Sequence, residues 1–283
     1  MRDRRRAKRS GAMRIHRFVV LICVAMAVTL AINGHVLTIA KSTVCDPDPP
    51  LSGVPGPPEF RYDEHYSIPI LMYHQIDSPA RGLTVTPEDF ASQMDLLKEA
   101  GYTTVSMDEV LLAMAGEPVP LPPKAVVLTF DDGYDCLYRN AHPILKERDF
   151  TATMFLTTGL IERSGYLTWE QISTLAAAGY TVGCHTRTHL DLCTLSRANL
   201  EKEVQGARQT LREKTGQTVL SFCYPSGRYN SQVIDAVRAA GFMGAVTTEP
   251  GVSDLSDDPY ALKRIRVDGR ESLKAFAQKL GLQ

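Results

Sequence analysis

The chain has 283 residues, of which 44% are hydrophobic and 22% are charged, and this balance excludes a chain that is disordered throughout. Its net charge of −1 hides an asymmetry, because residues 1–17 carry eight basic side chains and one acidic side chain, whereas the other residues together have a net charge of −8. A nucleic-acid-binding domain usually carries the opposite sign, so we expect no nucleic-acid partner.

An apolar segment follows this basic arm. Residues 18–32, FVVLICVAMAVTLAI, contain a single polar residue, Thr29, and the uncharged stretch continues to Ala40, a span of 23 residues that suffices to cross a bilayer. The shorter stretch alone would suit the core of a signal peptide, but no convincing cleavage site follows it. The sequence therefore predicts a cytoplasmic arm at residues 1–17 and an uncleaved membrane anchor at residues 18–40, with the rest of the chain outside the cytoplasm, or secreted if the segment is cleaved.

A proline-rich linker is predicted next, at residues 41–65, since six prolines fall between Cys45 and Phe60. The folded domain is then expected at residues 66–283. It contains four of the six cysteines, whose spacings match no zinc-ribbon pattern. Disulfide pairing in an oxidising compartment and simple burial of free thiols both remain open.

Short apolar runs and helix-like stretches alternate along this domain. The predicted strands are Ile68–Tyr73, Thr103–Val105, Ala125–Phe130, Thr151–Thr157, Thr181–Cys184, Leu220–Cys223, Gly244–Thr247 and Arg264–Val267. The predicted helices follow Thr86 up to Gly101 and Thr168 up to Gly179, and occupy Ser196–Thr215, Ser231–Ala240 and Glu271–Leu280. Such alternation indicates an α/β fold with a parallel sheet, and the number of units favours a barrel, although a doubly wound sheet stays open.

Two adjacent carboxylates end the third predicted strand. The segment VVLTFDDGYD runs straight into Asp131 and Asp132, with Gly133 directly after them. An Asp-Asp-Gly sequence can be an ordinary turn. Like charges side by side nevertheless repel, and a nearby cation or a catalytic role usually accounts for such a pair.

Two histidines follow the strand TVGC. His185 and His189 are four residues apart, a spacing that would place both imidazoles on one face of a helical turn. Such a pair is often a coincidence, but with a strand-end carboxylate it makes a common catalytic metal set that leaves positions open for water and substrate.

Two further groups follow predicted strands. The segment SFCYPSGRYN contains a Pro-Ser-Gly turn, which either is only a turn or directs backbone N–H groups at a developing oxyanion. His74 ends the first strand, PILMYH, where it is either structural or a general acid.

Together these segments resemble polysaccharide deacetylases with the NodB-homology domain, carbohydrate esterase family 4. TFDDG at residues 129–133 matches the first motif of the family, HTRTH at residues 185–189 matches its H-[ST]-x-x-H motif, and YLTWEQI at residues 166–172 resembles the segment that usually precedes the latter. The resemblance covers roughly residues 66–270 and implies a distorted (β/α)7 barrel.

The resemblance also implies roles for individual residues. Asp131 would be the general base, while Asp132, His185 and His189 would hold a divalent metal ion, most often zinc. The family motif R-x-P-[YF]-G reads CYPSG here, so the arginine and the aromatic residue are absent. The other positions of this motif are occupied by Tyr224, Pro225 and Ser226, which are the candidate residues for binding the substrate and the oxyanion. Ser226 would bind the oxyanion through its backbone N–H.

Many family members take their catalytic acid from a late L-x-x-H motif, but no histidine follows His189 in this chain. The start PILMYH instead resembles members with permuted motifs, among them exported poly-β-1,6-N-acetylglucosamine deacetylases, in which the acid lies on the first strand. This likeness assigns the acid to His74, and it suggests that Arg264 in the last strand orients Asp131.

The function implied by this resemblance is metal-dependent N-deacetylation of an amino-sugar polymer outside the cytoplasm. The expected partners are the acetylated polysaccharide and, through the N-terminal segment, a membrane. Alternatives are an esterase acting on O-acetylated polysaccharides, an inactive membrane-anchored carbohydrate-binding protein, and a metallohydrolase acting on other amides.

Overall fold

The computed structural model describes residues 66–282, and the predicted arm, anchor and linker lie outside this range. The strands are β1 Ser67–Ile68, β2 Ile70–Tyr73, β3 Gln75–Ile76, β4 Thr84–Val85, β5 Thr103–Thr104, β6 Ala125–Asp132, β7 Thr153–Leu156, β8 Thr181–Cys184, β9 Ser221–Cys223, β10 Gly244–Pro250, β11 Ser253–Asp254 and β12 Leu262–Arg266. Within this part of the chain, no helix is long and apolar enough to span a membrane.

Seven parallel strands form a closed ring. Their order is β2, β12, β10, β9, β8, β7, β6, and pairing between β2 and β6 completes the circle. The predicted barrel of seven parallel strands is thereby confirmed. Strand β5 lies outside the ring, because it pairs only with the first two residues of β6, ahead of the section that pairs with β2. Of the eight predicted strands, seven therefore form the barrel, and the second, at β5, extends the sheet outside it.

Helices cover the outside of the ring. They are α1 Pro87–Glu99, α2 Met107–Met114, α3 His142–Lys146, α4 Trp169–Ala177, α5 Arg197–Glu201, α6 Ala207–Thr215, α7 Ser231–Ala239 and α8 Leu273–Lys279. A π-helical turn precedes α3 and another joins α5 to α6. Helices α2 and α3 were not predicted, although Ser106 and Glu109 form a capping box at the start of α2.

The alternation of side chains along each strand separates two hydrophobic cores. On β6, Leu128 and Phe130 pack into the outer core between the ring and its helices, whereas Val127 belongs to the core inside the ring. The inner core includes Met107 and Leu111 of α2, so this helix lies across one end of the barrel. The Met107 N–H donates to Thr153 Oγ1 at the start of β7, which identifies the closed end as the amino end of the strands.

The carboxyl ends of the strands therefore remain as the open end, where barrels of this kind place their chemistry. The four cysteines of the described region, Cys136, Cys184, Cys193 and Cys223, are free thiols.

Candidate active site

A fully buried ion pair lies inside the barrel near its open end. Arg264 of β12 donates from Nη1 to Asp131 Oδ1 and from Nη2 to Asp131 Oδ2, each at 2.8 Å. The same guanidinium donates to the Thr247 carbonyl at 2.8 Å and to Thr129 Oγ1 at 3.0 Å. Arg264 is 0% exposed and Asp131 is 3% exposed, so this network fixes the carboxylate in a single orientation.

This ion pair sets the charge of Asp131. Burial alone would raise the pKa of the carboxyl, but the Arg264 guanidinium, through its charge and hydrogen bonds, outweighs burial and holds the pKa well below its usual range. Asp131 is therefore ionised at every physiological pH. Because a carboxylate has about four acceptor positions and Arg264 takes two, the others remain available for a further proton donor.

The neighbouring carboxylate faces two histidines instead of an arginine. Asp132 Oδ1 lies 3.5 Å from His185 Nε2 and 3.6 Å from His189 Nε2, and these three residues form a donor set that could hold one metal ion. Ligand atoms that each lie about 2.1 Å from one tetrahedral zinc ion would be about 3.4 Å apart. The spacing of the three atoms thus fits a divalent cation, and the sequence-predicted ligands are brought together.

Hydrogen bonding selects the ligand atom of His185. Its Nδ1 lies 2.8 Å from the carbonyl oxygen of Cys223, which can only accept a hydrogen bond, so Nδ1 carries the proton. Nε2 is then unprotonated and directed at Asp132, as is usual for a metal-bound imidazole with a backbone partner behind it.

The two histidines do not lie on a helical turn, so that prediction was wrong. Residues 185–191 form an irregular loop after β8, in which Thr186 and His189 have φ values of 67° and 60°. The His189 N–H donates to Thr186 Oγ1, and Glu203 accepts from the N–H groups of Arg187 and Thr188. A hydrogen-bonded loop with two left-handed residues, and not a helical turn, therefore brings the His185 and His189 side chains together.

The backbone also turns sharply at the carboxylate pair. Asp132 has φ 74° and Gly133 has φ 85°. A Cβ atom at Gly133 would lie 3.1 Å from Leu156 Cδ2 and 3.3 Å from Ile161 Cδ1, so a side chain here meets both conformational strain and close contacts. Burial raises the pKa of the Asp132 carboxyl and the adjacent Asp131 adds to this, while the two histidines lower it. A bound cation would favour the ionised form of Asp132.

A second donor set, Asp131, His185 and Cys223, also lies within metal-binding distance. It fits a cation poorly, because Arg264 already places its positive charge on Asp131 and approaches Cys223 Sγ at 3.3 Å. The first set is therefore the candidate metal centre.

His74 lies beside the ion pair. Its Nε2 is 3.9 Å from Asp131 Oδ2, and its buried Nδ1 has no hydrogen-bond partner within residues 66–282. Burial lowers the pKa of His74 below its ordinary value, and the charge of Asp131 opposes that change. The imidazole can thus exchange a proton at Nε2, on the side that faces Asp131.

A cavity of about 310 Å³ joins these groups. His74, Asp131, Asp132, His185 and His189 line it, together with Ser226 and other residues of the rim. Ser226 is exposed and left-handed, with φ 55°. Gly227 allows this turn, since a Cβ at this position would overlap Thr248 Oγ1.

The other two residues of this turn differ from Ser226. Tyr224 lines the cavity but is fully buried, stacks on Tyr229 and donates its hydroxyl to the Tyr260 carbonyl, whereas Pro225 is buried and does not line the cavity. The Tyr224 ring is held in these contacts and presents no exposed face to a sugar, so Ser226 is the exposed residue of this turn at the cavity.

Sequence reasoning missed three residues at the site. Cys223 Sγ lies 3.6 Å from Asp131 Oδ2, Arg266 lines the catalytic cavity, and the Tyr134 hydroxyl approaches Asp132 and contributes to lowering its pKa. The period of two along β12 could have found Arg266, because it places this residue on the same side as Arg264. Nothing in the sequence pattern indicates the position of the Tyr134 ring.

Comparisons with known proteins agree with the family resemblance of the sequence motifs. Residues 119–245 match the family model described as polysaccharide deacetylase. The chain is 35% identical over 209 residues to the polysaccharide deacetylase homologue YxkH of Bacillus subtilis (strain 168), which covers 74% of this chain and 74% of the relative. It is 24% identical over 263 residues to the poly-β-1,6-N-acetyl-D-glucosamine N-deacetylase of Escherichia coli (strain K12), a match that covers 76% of this chain but spans only 39% of that relative.

Among solved structures, the deacetylase PplD of Streptococcus pyogenes, determined in complex with acetate, superposes with a TM-score of 0.72 at 31% identity. The superposition covers 76% of this chain and 98% of PplD. Nearly the whole of PplD thus shares the fold of the corresponding part of this chain.

Proposed function

This chain belongs to the polysaccharide deacetylase family, and from that premise we propose that it hydrolyses the N-acetyl groups of an N-acetylglucosamine-containing polymer with the help of a divalent metal ion. The observation that carries the proposal is the convergence of two units in one cavity: the donor set Asp132, His185 and His189, and the buried pair of Asp131 with Arg264. The likeness to the Escherichia coli N-deacetylase of poly-β-1,6-N-acetylglucosamine supports an amide over an ester as the bond that is cleaved.

The metal ion has a defined place in this proposal. Asp132 Oδ1, His185 Nε2 and His189 Nε2 would hold it. When bound there, a divalent cation would polarise the acetyl carbonyl and lower the pKa of a water molecule. We propose zinc, because two imidazoles and one carboxylate form a ligand set that zinc commonly takes in hydrolases.

Asp131 would act as the general base. It is ionised because Arg264 lowers its pKa, and the bidentate contact holds its remaining acceptor positions in a fixed direction. In the attack step, a water oxygen forms a bond to the acetyl carbon while a water proton moves to Asp131. Arg264 contacts the carboxylate and not the reacting atoms, so it is a positioning residue.

The collapse step needs a proton on the leaving nitrogen. His74 Nε2 lies 3.9 Å from Asp131 Oδ2, at the same cavity wall, and would deliver this proton as the C–N bond breaks. Since burial lowers the pKa of His74, the free imidazole is largely neutral at pH 7. The proton that Asp131 takes from water replaces the one that His74 passes to the nitrogen, and the second water proton stays with the acid. Amide and water thus become acetic acid and an amine, which at pH 7 are present as acetate and an ammonium group.

The exposed turn at Ser226 would stabilise the oxyanion that forms at the acetyl oxygen. Ser226 has a left-handed backbone and lines the same cavity as His185 and His189. A backbone N–H in this position costs no reorganisation during the reaction.

The decisive experiment is acetate release by residues 60–283, with zinc added, beside an Asp131→Asn variant. The substrates are β-1,4-linked and β-1,6-linked N-acetylglucosamine oligomers and an O-acetylated xylan. The proposal is supported if the wild type releases acetate from an amino-sugar oligomer and Asp131→Asn does not. The relative rates on the two oligomer series then rank the two linkages. Acetate from xylan alone would replace it by the esterase alternative.

We further propose that the enzyme acts outside the cytoplasm, held to the membrane by residues 18–40, because this uncharged segment follows a basic arm. Protease treatment of intact cells, or spheroplasts, that express the full chain tests this. Digestion of the catalytic domain without cell lysis is expected, and full protection of the domain would contradict the proposed location.

A further inference from the structure

Three neighbouring cavities form one groove at the open end of the barrel. The catalytic cavity shares His74 and Leu83 with a second cavity of about 420 Å³, and that cavity shares Gln75 and Tyr134 with a third of the same volume. Cavities of about 300 to 1,000 Å³ are typical of small-molecule sites. Because neighbouring cavities have walls in common, a single elongated occupant can extend from the catalytic cavity through the other two.

The far end of this groove is aromatic. Tyr134 and Tyr166 are both half-buried, and their rings stack with centroids 5.0 Å apart and an angle of 21° between the planes. A backbone bridge between the two residues fixes the pair. Each ring has one face that the other does not cover. The face of an aromatic ring is negative, so it attracts the weakly positive C–H groups on the face of a pyranose ring.

Charged groups accompany the tyrosines. Arg139 lies 2.9 Å from Asp135 and 3.7 Å from Asp77, and all three residues line the third cavity. The side chains of Arg139 and Asp77 are about half exposed, at 50% and 47%. A guanidinium donates and a carboxylate accepts, which are the two capacities that sugar hydroxyls require. An aromatic platform beside such a pair therefore matches both the apolar faces and the polar edges of a sugar.

We propose that this groove binds the sugar units that neighbour the unit being deacetylated, so that the polymer extends from the catalytic cavity past Leu83 to Tyr166. The inference rests on the proposed function, because it assumes a carbohydrate polymer as substrate. The exposed side chain of Leu83, in the wall between the first two cavities, provides an apolar contact for the intermediate unit.

The test compares chain lengths. N-acetylglucosamine oligomers of one to five units, in the β-1,4 and β-1,6 series, are given to the zinc-loaded wild type and to Tyr166→Ala. We expect kcat/KM for the pentamer to fall about 3- to 10-fold through a higher KM, and kcat/KM for the shortest hydrolysed oligomer to stay unchanged. Tyr166→Phe, which keeps the ring, should retain the preference for long chains. Arg139→Ala, at a half-exposed position, is a second variant that should weaken pentamer binding even if Tyr166→Ala is unstable.

Tyr229→Ala is the matched control. Tyr229 also belongs to a stacked tyrosine pair, with Tyr224 at 4.7 Å, but it lines none of the three cavities. Its variant should keep the chain-length dependence of the wild type. A length-dependent loss in Tyr229→Ala but not in Tyr166→Ala or Arg139→Ala would overturn the inference.

Calorimetry of pentamer binding separates this inference from the proposed function. If the wild type releases no acetate but binds the pentamer more tightly than the dimer, and Tyr166→Ala or Arg139→Ala loses that difference, the groove is supported and the proposed activity fails. If the wild type binds pentamer and dimer equally, the groove is wrong whether or not acetate is released.

Discussion

The two ends of the barrel hold a buried aspartate, Asp131, and a half-buried one, Asp108, in opposite surroundings. At the open end, Asp131 makes two hydrogen bonds to Arg264, and its pKa is lowered. At the closed end, Asp108 of α2 lies against the start of β9, beside Leu220 and Ser221. Its pKa is raised to about 6.

The causes of this difference are separable. Burial raises the pKa of both carboxyls, and only a cation in direct contact reverses the effect. At Asp108, hydrogen bonds with Ser221 and with the backbone of Leu220 lower the pKa. The charge of Arg208 also lowers it, and the charge of Glu109 raises it. Together these effects do not offset burial. Charge pairing, and not depth in the protein, therefore decides which aspartate is ionised, and removing the charge should affect the two ends in opposite directions.

The largest change is expected at the open end. Asp131→Asn leaves the Arg264 guanidinium buried without its counter-charge, which should lower the free energy of unfolding by about 3–5 kcal/mol. Loss of the base should also lower kcat about 10²- to 10⁴-fold. Denaturant unfolding and acetate release measure the two effects. In the double variant Asp131→Asn, Arg264→Gln, stability should partly recover while activity stays low; a double variant no more stable than the single one would contradict the pairing account.

At the closed end, Asp108→Asn should stabilise the protein near pH 8. The folded state binds the Asp108 proton more tightly than the unfolded state, with a pKa of about 6 against an ordinary value of 3.8, so wild-type stability falls as the pH rises through this interval and is constant above it. The shift corresponds to at most about 3 kcal/mol. Urea unfolding of wild type and variant at pH 4 and pH 8 should give a difference at pH 8 that nearly disappears at pH 4. Equal differences at both values would mean that Asp108 is not the titrating group.

Metal binding should distinguish Asp132 from its neighbour. With zinc at about 100 times its dissociation constant, the wild type should gain about 2.7 kcal/mol of stability, whereas Asp132→Ala should gain much less because a ligand atom is missing. Thermal unfolding with zinc and with a chelator measures the gain. In contrast to Asp131→Asn, Asp132→Ala should cost little stability in the chelator. A gain in the variant equal to that of the wild type would place the ion elsewhere.

The smallest effect is expected at Cys223, inside the open end. Cys223→Ala removes a thiol 3.3 Å from Arg264 Nη2 but leaves both hydrogen bonds of the ion pair in place. We expect a loss of about 1 kcal/mol, from the small cavity. Denaturant unfolding beside Cys193→Ala, at a half-buried thiol far from the pair, provides the comparison. A loss as large as that of Asp131→Asn would show that the thiol itself holds the pair together.

The parts of the fold set by strand periodicity were predictable. Residues 181–184 were predicted as a strand with the bounds that β8 has, and side-chain alternation in β6 accounts for the direction of Asp131 into the barrel. The family was predicted from two short motifs, TFDDG and HTRTH, and is confirmed. Such features depend on local pattern, which the sequence carries directly.

Features that depend on loop backbone or on distant contacts were not predictable. The spacing of His185 and His189 has a helical interpretation, and only the left-handed conformations at Thr186 and His189 rule it out. Helix α2 was missed because it is short, and its place across the amino end depends on contacts with β7, β9 and β10. The buried ring of Tyr224 was unforeseen for the same reason, since the neighbouring turn motif suggested exposure.

Helix α2 also bears on how a reaction in this barrel would end. Because it closes the amino end, the cavity that holds Asp131 and His74 is reached from the carboxyl end of the strands. Under the proposed function, acetate would depart through the same end of the barrel along which the polymer would lie. Turnover would then require the polymer to slide or lift before each small product escapes, so the pace of successive deacetylations along one chain would be governed by that shared exit.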